Sequence, residues 1–401
     1  MKAARLRPFF FFLFVTYGAF LPFFPTWLEA RGVRGLSMSA IMALGPAMGI
    51  VGPPGFGALA DWLGLRAGIL RFVTGGGLVA MVMLAVPSAL GHPPGLPLLF
   101  VAMLMFSMAR APAVAIADVM AVEAAKEPRP GGEPQSYGGI RLWGSIGFLV
   151  TTLVVGRALD IRAVAALPLF LAASSLVTFT LAFRLSAPAP ARALRLGAQM
   201  REVLRDPGFL LLLASGFLGF GAHVSYDICF SLHLKSLGLG SDMVGVAWAI
   251  GTLAEVGLMA VSGRILARVP ARALLVIAFA TGALRWVVIA LVRDVTVLLA
   301  LQPLHAVTFA LFWVTSLDQV KARAPKEVLA TAQGVFNAAV GGGAVVGMFV
   351  WGGLFEARGG RTTFLCAAVV ALCAAASALG VGRPPARGVA VAARANADEL
   401  V

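Results

Sequence analysis

Eight ionisable side chains interrupt apolar runs that are otherwise long enough to cross a membrane. They are three arginines, three carboxylates and two histidines: Arg110, Asp118, Arg141, His223, Asp227, Glu255, Arg285 and His305. A charge within the bilayer costs a few kcal/mol or more, so such residues face protein or a water-filled cavity and often bind substrates or carry protons. Guanidinium groups suit anions, whereas carboxylates and imidazoles suit proton exchange. The alternative for each residue is a structural pair between helices.

Arg141 enters its apolar run from a polar loop, within the segment YGGIRLWGSIGF from Tyr137 to Phe148. Its charge requires an anionic partner, and its planar fork of donors suits a carboxylate or vicinal hydroxyls. Asp118 follows Arg110 by eight residues, just over two helical turns, so one helix face can hold both. Arg141 is the first candidate for ligand recognition.

The runs that hold these residues indicate an all-α integral membrane protein. Hydrophobic residues make up 60% of the chain and charged residues 12%, whereas roughly a quarter of the residues in soluble domains are charged. About 20 apolar residues span a bilayer as a helix. Twelve runs of this kind occur, near 8–29, 37–60, 67–88, 95–120, 137–157, 163–183, 208–233, 242–263, 271–291, 295–317, 328–352 and 361–381. We therefore expect twelve transmembrane helices.

The net charge of +14 does not indicate nucleic-acid binding, because the sequence offers no soluble basic surface. The basic residues concentrate at the N-terminus and in alternate loops, and they include Lys2, Arg5, Arg7, Arg192, Arg195, Arg201, Arg205, Arg264, Arg268 and Arg272. By the positive-inside rule these segments and both termini are cytoplasmic. The lipid bilayer is an expected partner and nucleic acid is not.

A hydrophilic segment at 185–207 divides the runs six and six. It predicts two six-helix bundles, 1–184 and 208–381, joined by a cytoplasmic linker loop and followed by a cytoplasmic tail, 382–401. The halves repeat one pattern, because GALADWLGLR follows the second run and GRILARVPAR follows the eighth. Two such halves, related by an axis along the membrane normal, place a substrate site between them at the midplane.

Several strings resemble those of the major facilitator superfamily of transporters. GALADWLGLR matches the motif G-x-L-A-D-x-x-G-x-R with Asp61, Gly64 and Arg66, although Ala67 replaces a usual second basic residue. A further set resembles the phenylpropionic-acid transporter family, a relative of the lactose permease and other oligosaccharide–proton symporters: YGAFLPFFPTWLEARG, YGGIRLWGS, GAHVSYD, VGVAWAIGTLAEV, GALRW and LHAVTF. The resemblance implies a proton-coupled symporter that works by alternating access, as a monomer in a bacterial inner membrane.

The resemblance also implies roles for residues of the first half. Asp118 and Arg141 match a carboxylate and an arginine that meet at the sugar site of the lactose permease. Arg141 is therefore expected to anchor the substrate, with Asp118 as its partner in the empty state. Arg110 is an alternative partner for Asp118. Asp61 and Arg66 are expected to form a cytoplasmic latch that breaks on inward opening.

In the second half, the proton-coupling residues of the lactose permease are only partly matched. Glu255, Arg285 and His305 match its residues in spans eight, nine and ten. Thr308 and Gln302 stand where that permease has a carboxylate and a lysine. A carried proton would therefore bind Glu255 or Asp227, with His305 as a candidate relay.

The pair Tyr226–Asp227 also resembles the lactose permease, which implies a lysine partner from span eleven. The eleventh run here contains no lysine, so Asp227 lacks an obvious cationic partner. It is expected to be protonated or to be served by His223, one helical turn away. A hydrogen bond from His223 to a backbone carbonyl is the alternative for that histidine.

Aromatic side chains beside the charged positions could stack on a ring-bearing ligand, namely Trp143, Tyr226, Trp248 and Trp286. Together with an arginine they favour a small aromatic acid, although sugars also stack on aromatic faces. Glu29 and Arg31 are expected to form a surface pair at the outer end of the first span.

Other functions have requirements that the sequence does not meet. A membrane enzyme would need a clustered motif such as HExxH, and an ATP-driven pump would need a phosphate-binding motif. Neither occurs, so no cofactor or metal is expected, and a proton gradient, or alternatively sodium, would supply the energy. The substrate stays open between an aromatic carboxylate, a sugar and a nucleoside. An exporter of small hydrophobic compounds with the same fold is a further alternative.

Overall fold

The computed structural model of the protein describes residues 3–63, 65–125, 137–158, 166–186, 197–325 and 328–382. Within these ranges every regular element is a helix. Ten helical segments are long and apolar enough to cross a membrane, which confirms the prediction of an all-α integral membrane protein. The side chain of Asp61 and the predicted tail beyond Gly382 lie outside the described part.

The helices follow one another with short connections. The first six are α1 (Ala3–Ala30), α2 (Gly35–Leu63), α3 (Arg66–Ala89), α4 (Leu96–Ala125), α5 (Tyr137–Ala158) and α6 (Leu167–Ala182). The predicted linker segment contains a further helix, α7 (Gly197–Arg205). The others are α8 (Pro207–Ser225), α9 (Ser231–Ser236), α10 (Ser241–Arg268), α11 (Ala271–Leu291), α12 (Val295–Ala300), α13 (Phe312–Arg323) and α14 (Leu329–Leu379).

Helix α14 contains 51 residues, more than twice the length that one crossing needs. Its backbone leaves the helical region at Gly359, whose φ of 72° and ψ of 178° suit glycine and few other residues. The apolar residues before and after Gly359 therefore form two separate segments. Helix α6 adds a shorter apolar segment of 16 residues. Helices thus occupy all twelve positions at which the sequence predicts a span.

Two of the crossing segments are interrupted by π-helical turns. Tyr226–Phe230 joins α8 to α9, and Val307–Leu311 precedes α13. A π-turn bonds residue i to i+5 rather than i+4, so it contains one extra residue and rotates the faces on either side relative to each other. These turns carry Tyr226, Asp227 and Thr308, three residues that the sequence analysis singled out.

The largest contacts between the first and second halves of the chain are two helix crossings. Within the halves, α1 packs on α5 and α6, α3 on α4 and α6, and α14 on α8 and α11. Between the halves, α2 packs on α14 and α5 on α10. A Cβ at Gly245 would collide with the carbonyl oxygen of Thr152, and one at Gly156 would lie 2.9 Å from the carbonyl oxygen of Ser241. Glycine therefore allows α5 and α10 to approach this closely.

One end of the molecule is closed by polar contacts between the halves. Lys235 Nζ lies 3.4 Å from Glu29 Oε2. Arg31 instead lies over the ring of Trp27, with Cζ 4.4 Å from the ring centroid. The expected pair of Glu29 with Arg31 is therefore wrong, because Lys235 of the other half takes the carboxylate and the indole holds the guanidinium.

Candidate functional site

A buried polar cluster surrounds Arg285 of α11, whose side chain is fully enclosed. Arg285 Nη1 donates to Thr308 Oγ1 at 2.7 Å, and Nη2 donates to Gln302 Oε1 at 3.3 Å. Gln302 Oε1 also accepts from Tyr226 OH at 3.0 Å, and Gln302 Nε2 donates to the carbonyl of Leu298 at 2.7 Å. The two residues that depart from the lactose-permease pattern thus supply acceptors that a buried guanidinium needs.

His305 connects this cluster to Glu255 of α10. His305 Nε2 lies 2.9 Å from Glu255 Oε1, and His305 Nδ1 lies 3.4 Å from Arg285 Nη1. The side chain of His305 is 8% exposed and that of Glu255 is 17% exposed. The structure therefore brings together the three residues that matched the lactose permease, with the imidazole between the two charged groups.

Three of the four predicted aromatic residues form a wall beside this cluster. The ring centroid of Tyr226 lies 4.9 Å from that of Trp248 and 6.1 Å from that of Trp286. Arg285 Cζ lies 5.1 Å from the Tyr226 ring and 5.0 Å from the Trp286 ring. Trp143 lies apart from them, on α5, with 39% of its surface exposed. The predicted aromatic residues that surround Arg285 thus all belong to the second half.

His223 belongs to this aromatic wall. Its ring centroid lies 5.2 Å from that of His305 and 5.9 Å from that of Trp286. Its imidazole contacts these rings, whereas Asp227 lines a cavity with Arg110 of α4. The structure therefore separates two residues that a regular helix would place on one face.

A second polar cluster joins α4 to α5. Arg141 Nε lies 3.4 Å from Asp118 Oδ1, and Tyr137 OH donates to the same oxygen at 3.1 Å. Arg141 Cζ lies 4.0 Å from the centroid of the Phe14 ring. The side chains of Arg141 and Asp118 are 28% and 32% exposed, so a solute can reach both. Sequence reasoning missed Tyr137 as a partner, although its position four residues before Arg141 puts the two on one helix face.

Arg110 lies apart from Asp118, so the alternative pair of these two residues is not formed. Arg110 Cζ lies 4.7 Å from the ring of Tyr17 and 5.6 Å from that of Phe20. Its Nη1 is buried without a hydrogen-bond partner. Arg110 and Asp227 line one cavity of about 110 Å³ between the two halves.

Arg66 forms an ion pair that the sequence analysis missed. Its Nη1 lies 2.6 Å from Glu123 Oε1, which joins the start of α3 to the end of α4. The pair of Arg66 with Asp61 stays a prediction, because the Asp61 side chain lies outside the described part. In the second half, Arg323 Nη1 lies 2.7 Å from Asp206 Oδ2. The only signal was a carboxylate just outside an apolar run, after the run for Glu123 and before it for Asp206.

The two clusters and the cavity between the halves hold equal numbers of arginines and carboxylates, namely Arg110, Arg141, Arg285, Asp118, Asp227 and Glu255. Across the described ranges, no three His, Cys, Asp or Glu side chains come together as metal ligands. The arrangement can recognise an anion and exchange protons.

Comparison with known proteins identifies the family of the chain. The model of the MFS_1 like family matches residues 3–366. The chain belongs to the MFS_1 like family. Among similar proteins, the probable 3-phenylpropionic acid transporter of Escherichia coli (strain K12) is 26% identical over 375 residues, which cover 90% of this chain and 93% of that protein. The maltose permease of Geobacillus stearothermophilus is 29% identical over 339 residues, which cover 84% of this chain and 82% of the permease.

The fold of this MFS_1 like protein is that of the major facilitator superfamily. A solved mutant form of the nucleoside transporter NupG superposes with a TM-score of 0.82 at 17% identity, covering 95% of this chain and 100% of that one. The relatives and structural neighbours are membrane transporters and not enzymes. The predictions of a multi-pass transporter of small molecules and of its superfamily are therefore confirmed.

Proposed function

We propose that the chain takes up a small aromatic carboxylate together with protons, by alternating access. The observation that carries the proposal is the separation of two chemistries: the Arg141 guanidinium, which suits an anion, lies in the first half, and the Glu255–His305 pair, which suits proton exchange, lies in the second. A relative named as a probable 3-phenylpropionic acid transporter supports the substrate class.

Arg141 anchors the ligand carboxylate in this proposal. Its distance of 3.4 Å from Asp118 is long for a charge-assisted hydrogen bond, which is typically about 2.7 to 2.9 Å. A ligand carboxylate can displace Asp118 and bind the guanidinium through two parallel hydrogen bonds. Trp143, two residues later on α5, lies about 200° around the helix from Arg141 and so does not face the same ligand.

Glu255 carries the proton, with His305 as relay and Arg285 as the responding charge. The Glu255 carboxylate lies 2.9 Å from His305, and His305 in turn faces Arg285. A negative Glu255 attracts both groups, and protonation removes that attraction. Each proton gained or lost therefore changes the bonds that hold α10 to α11 and to the helix of His305.

We assign residues 1–184 and 208–381 to two six-helix bundles that rock against each other around the site. By the positive-inside rule, the closed end with Glu29 and Lys235 faces outside and the end with Arg66 faces the cytoplasm. Both termini are then cytoplasmic, in the inner (plasma) membrane of a bacterium, and the carrier acts as a monomer. Asp61 and Arg66 act as the cytoplasmic latch.

A proton-coupled sugar or nucleoside symporter is the second candidate. The maltose permease is 29% identical to this chain, and the NupG fold is closely similar. Arg141 and Asp118 can also hydrogen-bond to vicinal hydroxyls, which both ligand classes carry. An exporter of small hydrophobic compounds would use the same fold with the opposite direction of net flux.

Uptake into proteoliposomes tests these candidates. Labelled 3-phenylpropionate, maltose and uridine are each supplied with and without an imposed inward proton gradient. The wild type is compared with Arg141→Gln, with Glu255→Gln and with the control Arg157→Gln, which removes an exposed arginine at the end of α5. We expect gradient-stimulated uptake of phenylpropionate in the wild type and in the control alone.

The two site variants should fail in different ways. Arg141→Gln should lose binding and transport, whereas Glu255→Gln should keep exchange of internal for external phenylpropionate but lose accumulation. Uptake of maltose or uridine but not phenylpropionate would overturn the substrate class. Uptake at the same rate with and without the proton gradient would overturn the proposed proton coupling.

A further inference from the structure

The cavity between the two halves contains an arginine from one half and a carboxylate from the other. Arg110 of α4 and Asp227 of the π-turn after α8 both line it. The remaining lining is apolar and comes from α1, α2, α4, α8 and α14: Phe20, Leu21, Met42, Gly45, Pro46, Met103, Val224, Ala344 and Met348. Two opposite charges thus share one apolar chamber, whose lining contains no residue of the two polar clusters described above.

Arg110 and Asp227 attract each other electrostatically, but no hydrogen bond joins them among the described residues. Arg110 forms no ion pair among the described residues, and its Nη1 is buried without a hydrogen-bond partner. The rings of Tyr17 and Phe20 hold the guanidinium from the α1 side, with Cζ 4.7 Å and 5.6 Å from their centroids. A buried donor without an acceptor is unfavourable, so the chamber is suited to an acceptor that arrives from outside the protein.

We propose that this chamber is a second binding station, where a ligand carboxylate binds Arg110 while Asp227 holds a proton. The proposal rests on the uptake of a carboxylate proposed above and assigns it a deeper site. Arg110 precedes Asp118 by eight residues on α4, which places the second station roughly 12 Å along the helix from the first. During uptake the ligand then reaches the Arg110 chamber first and the Arg141 cluster, nearer the cytoplasmic end of α4, second.

The protonation follows from the shared chamber. Two carboxylates side by side repel each other unless one of them is protonated. A protonated Asp227 removes the repulsion and donates its O–H to the second oxygen of the ligand carboxylate, while Arg110 donates to the first. The proton comes from the aqueous phase that delivers the ligand, so anion and proton enter the chamber together.

Other ionisable groups around Asp227 are few. Glu255 of α10 and Arg285 of α11 act on it electrostatically, in addition to Arg110 of α4. Tyr226 precedes it in the same π-turn, and His223 of α8 turns towards His305. Helices α1, α2 and α14 contribute only apolar residues and glycine to the lining of the chamber. His233 and Lys235 of α9 lie towards the closed end. Asp227 and Arg110 are thus the charged pair that a ligand in this chamber touches.

Binding of labelled 3-phenylpropionate to the full-length protein in nanodiscs tests the second station. Affinity is measured from about pH 5 to about pH 9 for the wild type, Arg110→Gln and Asp227→Asn, with Arg157→Gln and Asp242→Asn as matched controls. The neutral analogue 3-phenyl-1-propanol, which lacks the carboxylate, is measured in parallel. Proton-gradient uptake of phenylpropionate is recorded for every variant.

We expect Arg110→Gln to weaken phenylpropionate binding by about tenfold or more and to leave binding of the alcohol unchanged. Wild-type affinity should fall towards alkaline pH by up to about tenfold per pH unit, as one linked proton requires. Asp227→Asn should bind phenylpropionate with no such fall, because the amide N–H replaces the acid O–H. Both controls should match the wild type.

Three outcomes would overturn the second station. The first is phenylpropionate binding by Arg110→Gln equal to the wild type. The second is an equal loss of alcohol binding, which would make Arg110 structural. The third is a wild-type pH profile in Asp227→Asn. If the wild type shows gradient-driven uptake in these cases, only the second station fails; if the wild type neither binds nor accumulates phenylpropionate, the proposed function fails with it.

Discussion

His305 Nε2 donates its proton to Glu255 Oε1 across 2.9 Å. The direction follows from the other ring nitrogen, because Nδ1 faces Arg285 Nη1 at 3.4 Å and a guanidinium can only donate. Nδ1 must therefore be the acceptor, which leaves the hydrogen on Nε2. Since Nε2 already holds its hydrogen, a second proton on His305 would have to bind Nδ1, where it would break the contact with Arg285. Proton movement and the position of Arg285 are thus coupled through one imidazole.

Thr308→Val should destabilise the protein by about 1.5 to 3 kcal/mol, because it removes the acceptor that lies 2.7 Å from Arg285 Nη1. Valine has a similar volume, so the loss is one of hydrogen bonding. Thr308→Ser is the matched control and should retain most of the stability, since it keeps the hydroxyl. Thermal unfolding in detergent measures both. Equal melting temperatures for the valine variant and the wild type would contradict this role of Thr308.

Gln302→Lys should be poorly folded, although the lactose permease has lysine at the matching position. Gln302 is fully buried, and its Oε1 accepts from both Arg285 and Tyr226. A lysine there removes the acceptor and adds a second buried cation, and an uncompensated buried charge costs about 3 to 5 kcal/mol. Gln302→Glu keeps an acceptor and should fold. Recovery of monodisperse protein on size-exclusion chromatography distinguishes the two, and a well-folded lysine variant would refute the expectation.

Gly245→Ala should separate the halves at the closed end, because a Cβ there collides with the carbonyl oxygen of Thr152 on α5. Gly257→Ala is the matched control on the same helix, where no atom lies within 4 Å of the added Cβ. The measurement is cross-linking of Glu29→Cys with Lys235→Cys by a short bifunctional reagent, after replacement of the native cysteines. We expect a slower reaction in the Gly245→Ala background only. Equal cross-linking rates in both backgrounds would show that α5 and α10 accommodate the added methyl group without separating the halves.

Exchanging the two charges of the Arg66–Glu123 pair should restore part of the stability and of the uptake rate that either single substitution removes. The two side chains are 13% and 31% exposed, so their coupling free energy should be about 1 kcal/mol or less. Arg66→Glu and Glu123→Arg are compared singly and together in a double-mutant cycle of unfolding midpoints and of uptake rates. Strictly additive effects would mean that the pair does not couple α3 to α4.

The sequence predicted side-chain pairs correctly where the cost of burying a charge allows an ionisable residue few possible partners. Ionisable residues in apolar runs must find partners, and Arg141 with Asp118, and Glu255 with His305, are indeed adjacent. Hydropathy also locates the helices, since only helices satisfy the backbone of such a chain in lipid.

Helical periodicity failed where the helix is not an α-helix. His223 and Asp227 are four residues apart, a spacing that puts two side chains on one face of a regular helix. The π-turn at Tyr226–Phe230 begins between them, so one faces His305 and the other lines the chamber of Arg110. Nothing in the residue types of this segment indicates the extra residue in the turn.

Pairing between distant segments was also beyond the sequence. Glu29 is paired with Lys235 rather than with the nearby Arg31, and Arg66 is paired with Glu123, which the sequence did not suggest. Which of several helix ends lie side by side depends on tertiary packing, and a single sequence does not encode that in local spacing.

The equality of three arginines and three carboxylates around the translocation path bears on the electrical work of transport. A carboxylate that crosses with a single proton, whether Glu255 or Asp227 holds it, leaves the sum of these charges unchanged. The membrane potential, worth about 2.3 kcal/mol per charge at 100 mV, would then contribute nothing to net accumulation. Only the pH difference would drive it, to about tenfold per pH unit. A potassium diffusion potential imposed at equal pH should therefore leave phenylpropionate at its equilibrium level, and voltage-driven accumulation would reveal an additional cation in the transport cycle.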